Sequence, residues 1–89
     1  MMKSVVFLDP AAAAMRKHRN MAKRIEDKLA TYAANPAALA NQVTELRGRP
    51  LKRLRVGDFR VLFVETETEI IVSDIGPRGS IYQIRGFTP

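Results

Sequence analysis

Arg53, Arg55, Arg60, Arg78 and Tyr82 are the side chains of this sequence whose types and spacing suggest a shared chemical task. Arginine carries a permanent charge on a planar fork that donates paired hydrogen bonds, a geometry suited to phosphate oxygens. A tyrosine ring stacks on an unpaired base while its hydroxyl reaches a polar group. Arg53 and Arg55 are two positions apart, so an extended strand places them side by side on one face. Arg60, Arg78 and Tyr82 fall in neighbouring segments that a strand meander would fold onto the same surface. Scattered surface arginines are the plain alternative, and spacing alone does not separate the two.

Charge narrows the choice. The net charge is +6, and residues 47–60 hold six basic side chains against one acidic. A basic field this concentrated attracts polyanions or an acidic protein, and the attraction weakens with salt. At 89 residues, 46% of them hydrophobic and 27% charged, the chain is expected to form one domain spanning residues 1–89. No apolar run is long enough to span a bilayer, and Asp9-Pro10 interrupts the short stretch from Val5 to Leu8. Cysteine is absent, which removes disulfides, thiolate metal sites and thiol nucleophiles. A cytoplasmic location with no membrane partner is the expectation.

Residues 3–8 read as a first strand. Asp9 is expected to cap the following helix, with Pro10 at its first helical position and the helix running through Ala11 to about His18. Asn20 reads as a local cap or turn residue, after which Met21, Ile25, Leu29 and Tyr32 recur at helical spacing and define a buried stripe. Asn35-Pro36 ends that helix. Residues 36–46 read as a connection with at most a helical turn. Beyond Gly48-Arg49-Pro50 the period becomes two, with Leu54 and Val56 on one side and Leu51, Arg53 and Arg55 on the other. Gly57-Asp58 makes a turn, residues 59–65 a central strand, residues 65–68 the next turn and residues 69–75 another strand. Gly76, Pro77 and Gly79 read as a loop before a last strand at 81–84. The architecture predicted is α+β: two N-terminal helices on one face of a small twisted antiparallel sheet, whose other face stays partly open.

Other candidates are weaker. His18 sits among Arg16, Lys17 and Arg19 and reads as a solvated helix end. Glu65, Glu67 and Glu69 alternate at a hairpin without a histidine nearby, so they read as a solvated turn rather than a metal site. Ser73 and Ser80 lack a histidine partner for nucleophilic catalysis. Met15 and Met21 read as core fillers.

The runs Leu46-Arg47-Gly48, Leu54-Arg55-Val56-Gly57-Asp58-Phe59-Arg60-Val61-Leu62-Phe63, Ile75-Gly76-Pro77-Arg78 and Ile81-Tyr82 resemble the pattern of the RelE/ParE toxin superfamily. The resemblance follows the element order over nearly the whole chain and is most specific from Leu46 to Tyr82. It implies a RelE-like order βααββββ and an antitoxin that wraps the toxin. It also implies one of two activities: cleavage of messenger RNA in the ribosomal A site in the RelE branch, or inhibition of DNA gyrase in the ParE branch. The Arg78 and Tyr82 pattern resembles the RelE branch, in which the arginine contacts the scissile phosphate and the tyrosine stacks on the nucleotide. Arg60 matches a second phosphate-binding arginine, and Arg53 falls where the branch often has a basic residue, commonly lysine. The catalytic set implied is Arg53, Arg60, Arg78 and Tyr82, with Arg47, Arg49, Lys52 and Arg55 binding RNA phosphates and neither metal nor cofactor.

The chemistry implied is attack by an RNA 2′-hydroxyl on the adjacent phosphorus, giving a 2′,3′-cyclic phosphate and a 5′-hydroxyl. It needs in-line positioning, charge neutralisation and two proton transfers. Arginines neutralise charge but do not accept protons. Lys52 faces away from Arg53 in a regular strand, so the base is left open between Tyr82, Lys52 after a bulge, and a group supplied by the ribosome. The partners expected are an acidic cognate antitoxin in a hetero-oligomer, and the ribosome with its message. Two alternatives belong to other classes: a gyrase inhibitor without nuclease activity, and a nontoxic domain that binds an antitoxin to regulate the operon.

Overall fold

The computed structural model describes residues 2–46, 48 and 50–79. Strand β1 (Ser4–Phe7) leads into helix α1 (Asp9–Lys17). Leu8, not Asp9, holds the cap position, so Pro10 is the second helical residue rather than the first, and no side chain caps the helix. Asp9 is already helical and contributes only its negative charge at the positive end of the helix dipole. The break before α2 (Arg19–Ala34) falls at His18 (φ −112°, ψ 58°), and Asn20 lies inside α2. The His18 ring packs edge-on against Phe59, 4.8 Å between centroids, which seats the bend on the sheet instead of leaving the ring solvated.

Met21, Ile25, Leu29 and Tyr32 are all buried, as their spacing requires, and Asn35 leaves helical geometry just before Pro36. The next stretch is more structured than its composition suggests. A 3-10 helix (Pro36–Gln42) drops Leu39 into the core, and a strand β2 (Val43–Glu45) follows it. Three residues are too few for a period-two pattern to emerge from sequence.

Strands β3 (Lys52–Val56), β4 (Phe59–Glu65) and β5 (Glu69–Pro77) complete a sheet in the order β1-β5-β4-β3-β2. β2 to β5 form the antiparallel meander, while β1 runs parallel beside β5 and makes the sheet mixed at that edge. β2 supplies the fourth strand of the meander; the strand expected at 81–84 lies outside the described residues. Gly76 and Pro77 end β5 rather than forming a loop, because Pro77 still pairs with Phe59. Between Leu62 and Phe63 the β4–β5 register shifts: Phe63 pairs with Val72 and Leu62 with Asp74, leaving Ser73 unmatched.

The helices cover one sheet face. Leu54, Val56, Val61, Phe63, Ile70, Val72 and Ile75 meet Met21, Ile25, Leu29 and Tyr32 in a common core, with Met15 and Phe59 packed against it. β1 is outermost, and Met2, Val6 and Leu8 are exposed along it. Among the described residues, no helix is long and apolar enough to cross a membrane.

The sheet is tied to the helices by one carboxylate. Glu65 Oε2 accepts from Lys3 Nζ at 2.6 Å, and Oε1 accepts from both Lys52 Nζ and Tyr32 Oη at 2.7 Å. These bonds join β1, β3, β4 and α2, and the Tyr32 ring lies edge-on to Phe63, 5.2 Å between centroids. Burial alone would raise the Glu65 carboxyl, but hydrogen bonds from Lys3, Lys52 and Tyr32 outweigh it and hold the group at about 2. A lowered folded pKa stabilises the fold above the unfolded carboxylate range and is lost as pH falls toward that value. Glu65→Gln is therefore expected to cost about 2 kcal/mol at pH 7. In thermal melts followed by circular dichroism, the gap from wild type closes between the ordinary carboxylate pKa and about pH 2. A constant gap across that window refutes the linkage. Gly57 has φ +58°, and a Cβ there would sit 3.3 Å from Arg24 Nη2. Gly57→Ala is expected to lower stability by about 1 kcal/mol or more, read by the midpoint of a urea melt.

Candidate functional site

The face of β3 and β4 turned away from the helices carries the arginines. With Leu54 and Val56 buried toward the core, alternation sends Arg53 and Arg55 the other way. Arg60 follows the same parity on β4, where Val61 and Phe63 point inward. The hairpin register sets Arg55 directly opposite Arg60, and Arg53 opposite Leu62. Like charges facing each other across a ladder are unfavourable by some tenths of a kcal/mol to about 1 kcal/mol. The fold nevertheless holds this pair at the end of a short, rigid hairpin.

Arg53, Arg55 and Arg60 line a cavity of about 90 Å³ together with Asn41, Gln42 and Thr44. Since a water molecule occupies about 30 Å³ of liquid, the space suits a small anion or a few waters. Thr44 stands opposite Arg53 in the β2–β3 pairing, and Gln42 accepts a hydrogen bond from Lys28 Nζ at 3.1 Å, which ties the cavity wall to α2. The stretch holding Asn41, Gln42 and Thr44 had read only as a connection. Its usable signal was Val43 followed by Thr44, the beginning of an alternation that β2 completes.

Arg60 Nη1 donates to the carbonyl oxygens of Gly57 at 3.2 Å and Phe59 at 3.0 Å. Its guanidinium pKa is lowered by burial, then by the charges of Arg53, Arg78 and Arg55, with Asp58 opposing. The group stays charged at ordinary pH. Beyond burial, the neighbouring guanidinium charges add to the shift, and a bound anion would relieve that part. Arg78 reaches the cluster because its backbone N–H donates to the Asp58 carbonyl at 2.6 Å, one step past the last residue of β5. The Arg78 side chain is exposed there.

Lys52 is not brought to this face. It lies under the helices beside Glu65 and Tyr32, where the bond to Glu65, opposed by burial, raises its pKa and keeps it an ammonium. Arg47, Arg49 and Tyr82 lie outside the described residues. Glu65, expected in a solvated turn, is half-buried in the ion network, whereas Glu67 is exposed. Asp74 is buried on the arginine side, opposite Leu62. The described side chains can thus grip an anion with several oxygens and neutralise charge developing on it. The arginines among them are forked donors, not proton acceptors.

Comparison with known proteins agrees with the fold. The chain resembles archaeal RelE in the RelE–RelB complex from Pyrococcus horikoshii OT3, with 22% identity, TM-score 0.73, and 89% of this chain and 98% of that chain covered. The toxin–antitoxin complex RelBE2 of Mycobacterium tuberculosis matches with 19% identity, TM-score 0.71, and 88% and 100% coverage. A mutant of E. coli RelE in the free state matches with 22% identity, TM-score 0.69, and 90% and 87% coverage. At these identities the likeness concerns the fold. No curated protein matches the sequence. The family described as ParE toxin of type II toxin-antitoxin system, parDE, matches residues 5–82. The chain therefore belongs to the ParE toxin family of type II toxin–antitoxin systems, within the RelE/ParE superfamily.

Proposed function

We propose that this toxin is a ribosome-dependent endoribonuclease that cleaves messenger RNA by 2′-hydroxyl attack without a metal ion. The observation that carries the reading is the grouping of Arg53, Arg55 and Arg60 on one sheet face, where they line one cavity, with Arg78 just past the adjoining end of β5. The 2′-oxygen bonds to phosphorus and loses its proton, the bond from phosphorus to the 5′-oxygen breaks, and that oxygen takes a proton. Arg60 and Arg78 neutralise the nonbridging oxygens as charge builds there, the task for which fixed donors are most effective. Arg53 and Arg55 hold the flanking phosphates, with Arg47 and Arg49 extending the track. Tyr82 stacks on the nucleotide. Lys52 is spent on Glu65, so the proton transfers fall to Tyr82 or to a group of the ribosome. An acidic antitoxin is the partner that neutralises the toxin; similar solved structures include toxin–antitoxin complexes. Its action and the ribosome's both lie in the cytoplasm.

A second reading has one observation in its favour: the matching family is that of ParE toxins. It makes the chain a gyrase inhibitor with no nuclease activity.

Mapping RNA 5′ ends after brief induction separates the two. The nuclease yields new 5′-hydroxyl ends within messages, and Arg78→Ala reduces them by roughly 100-fold, the scale of losing one transition-state donor; Tyr82→Phe tests the phenol. Intact messages, inhibited supercoiling and an Arg78→Ala variant that remains toxic would establish gyrase inhibition instead. On purified protein, affinity for single-stranded RNA is expected to fall with salt. Each of Arg53→Ala, Arg55→Ala and Arg60→Ala reduces the log–log slope by about 0.7, one phosphate's worth. Unchanged slopes would mean that the arginines do not touch the RNA backbone.

A further inference from the structure

The segment of β5 that leads to Arg78 contains an irregularity. Ile70 and Val72 are fully buried under the helices. Strict alternation from them would send Asp74, Gly76 and Arg78 to the same helical side. The register prevents this: Phe63 pairs with Val72, but Leu62 pairs with Asp74, so Ser73 is an extra residue with no partner of its own. The inward position then passes to Ile75, which pairs with Val61 in the core. Asp74 and Gly76 move to the arginine face, opposite Leu62 and Arg60 respectively, four and two residues before Arg78 along the chain. Ser73 Oγ donates to the Leu62 carbonyl at 3.4 Å across the irregularity. The facing strand β4 alternates without interruption from Phe59 to Glu65.

An inserted residue of this kind also bends its strand and increases the local twist. We propose that Ser73 is a positioning residue, whose bulge bends the end of β5 so that the Arg78 and Arg60 guanidinium groups converge on one phosphate. Three observations meet here. The bulge lies five residues before Arg78, the strand beyond it stays paired as far as the Arg78 backbone N–H, and Arg60 senses the charge of Arg78. The proposal rests on the reading of the arginine face as an RNA-phosphate site.

Deleting Ser73 tests the bend alone, because Ile70, Val72 and Ile75 then alternate inward on a regular strand, the core residues keep their places and the residues from Asp74 onward keep their face. Binding of a short single-stranded RNA is measured by fluorescence anisotropy on the full chain for wild type, the Ser73 deletion, Arg78→Ala, Arg60→Ala and their combinations. The deletion is expected to weaken binding roughly tenfold, about one charge-assisted contact. It should add nothing in the Arg78→Ala background and should still add to Arg60→Ala. Wild-type affinity in the deletion, or a loss that persists undiminished without Arg78, overturns the proposal.

If the deletion does not fold, Ser73→Ala and Ser73→Thr decide. A loss with Ala that Thr restores, and that vanishes without Arg78, supports the role; a silent Ser73→Ala overturns it. The Arg60 Nε–Hε resonance in the ligand-free protein gives an independent reading. It should move on deletion, or with Ser73→Ala, toward its position in Arg78→Ala, and an unmoved resonance counts against the bend. If Arg60→Ala and Arg78→Ala bind RNA as wild type does, the RNA reading fails, while this resonance still decides whether Ser73 aims Arg78.

Discussion

Electrostatic repulsion between guanidinium groups, contained by a hydrophobic core on the opposite side of the same hairpin, is the constraint on which this molecule turns. Arg55 and Arg60 stand face to face because the residues flanking them, Leu54, Val56 and Val61, are committed to the core. The parity of a strand leaves no third option: whatever alternates with a buried residue must face the other way. Burial of those three side chains supplies several kcal/mol, while like-charge crowding across the ladder opposes folding by about 1 kcal/mol at most. The core wins, and the sheet presents a positive field that a soluble anion is better placed to relieve than any rearrangement of the chain.

The same division of labour explains the two fates of the cations on β3. Arg53 and Arg55 project into the polar cavity, whereas Lys52, one residue earlier, turns under the helices and meets Glu65. There it joins Lys3 and Tyr32 around a carboxylate held at about 2. The network satisfies charges that burial would otherwise penalise. It also closes the end of the core where β1, β3, β4 and α2 meet. One basic residue thus serves the interior while its neighbours serve the surface.

Much of this was legible in the residues themselves. The helical stripe, the hairpin at Gly57-Asp58 and the strand from Phe59 to Glu65 follow from periodicity that packing reinforces. The grouping of Arg53, Arg55 and Arg60 follows from the same alternation. What stayed hidden depended on pairing. β2 is too short to show a period, and β1 joins β5 in parallel across a distant part of the sequence. The bulge had a trace in the spacing of Ile70, Val72 and Ile75, two and then three. The turn-forming reputation of glycine and proline at positions 76 and 77 masked it by suggesting a loop.

β1 lies at the margin of the sheet with Met2, Val6 and Leu8 turned to solvent. A marginal strand offers its outward backbone groups as a template, and apolar side chains along it remove the electrostatic deterrent that edge lysines provide elsewhere. Colloidal behaviour at high concentration then sets this short apolar border against the surplus of positive charge on the far strands, and the four-residue length of β1 limits what the border can template.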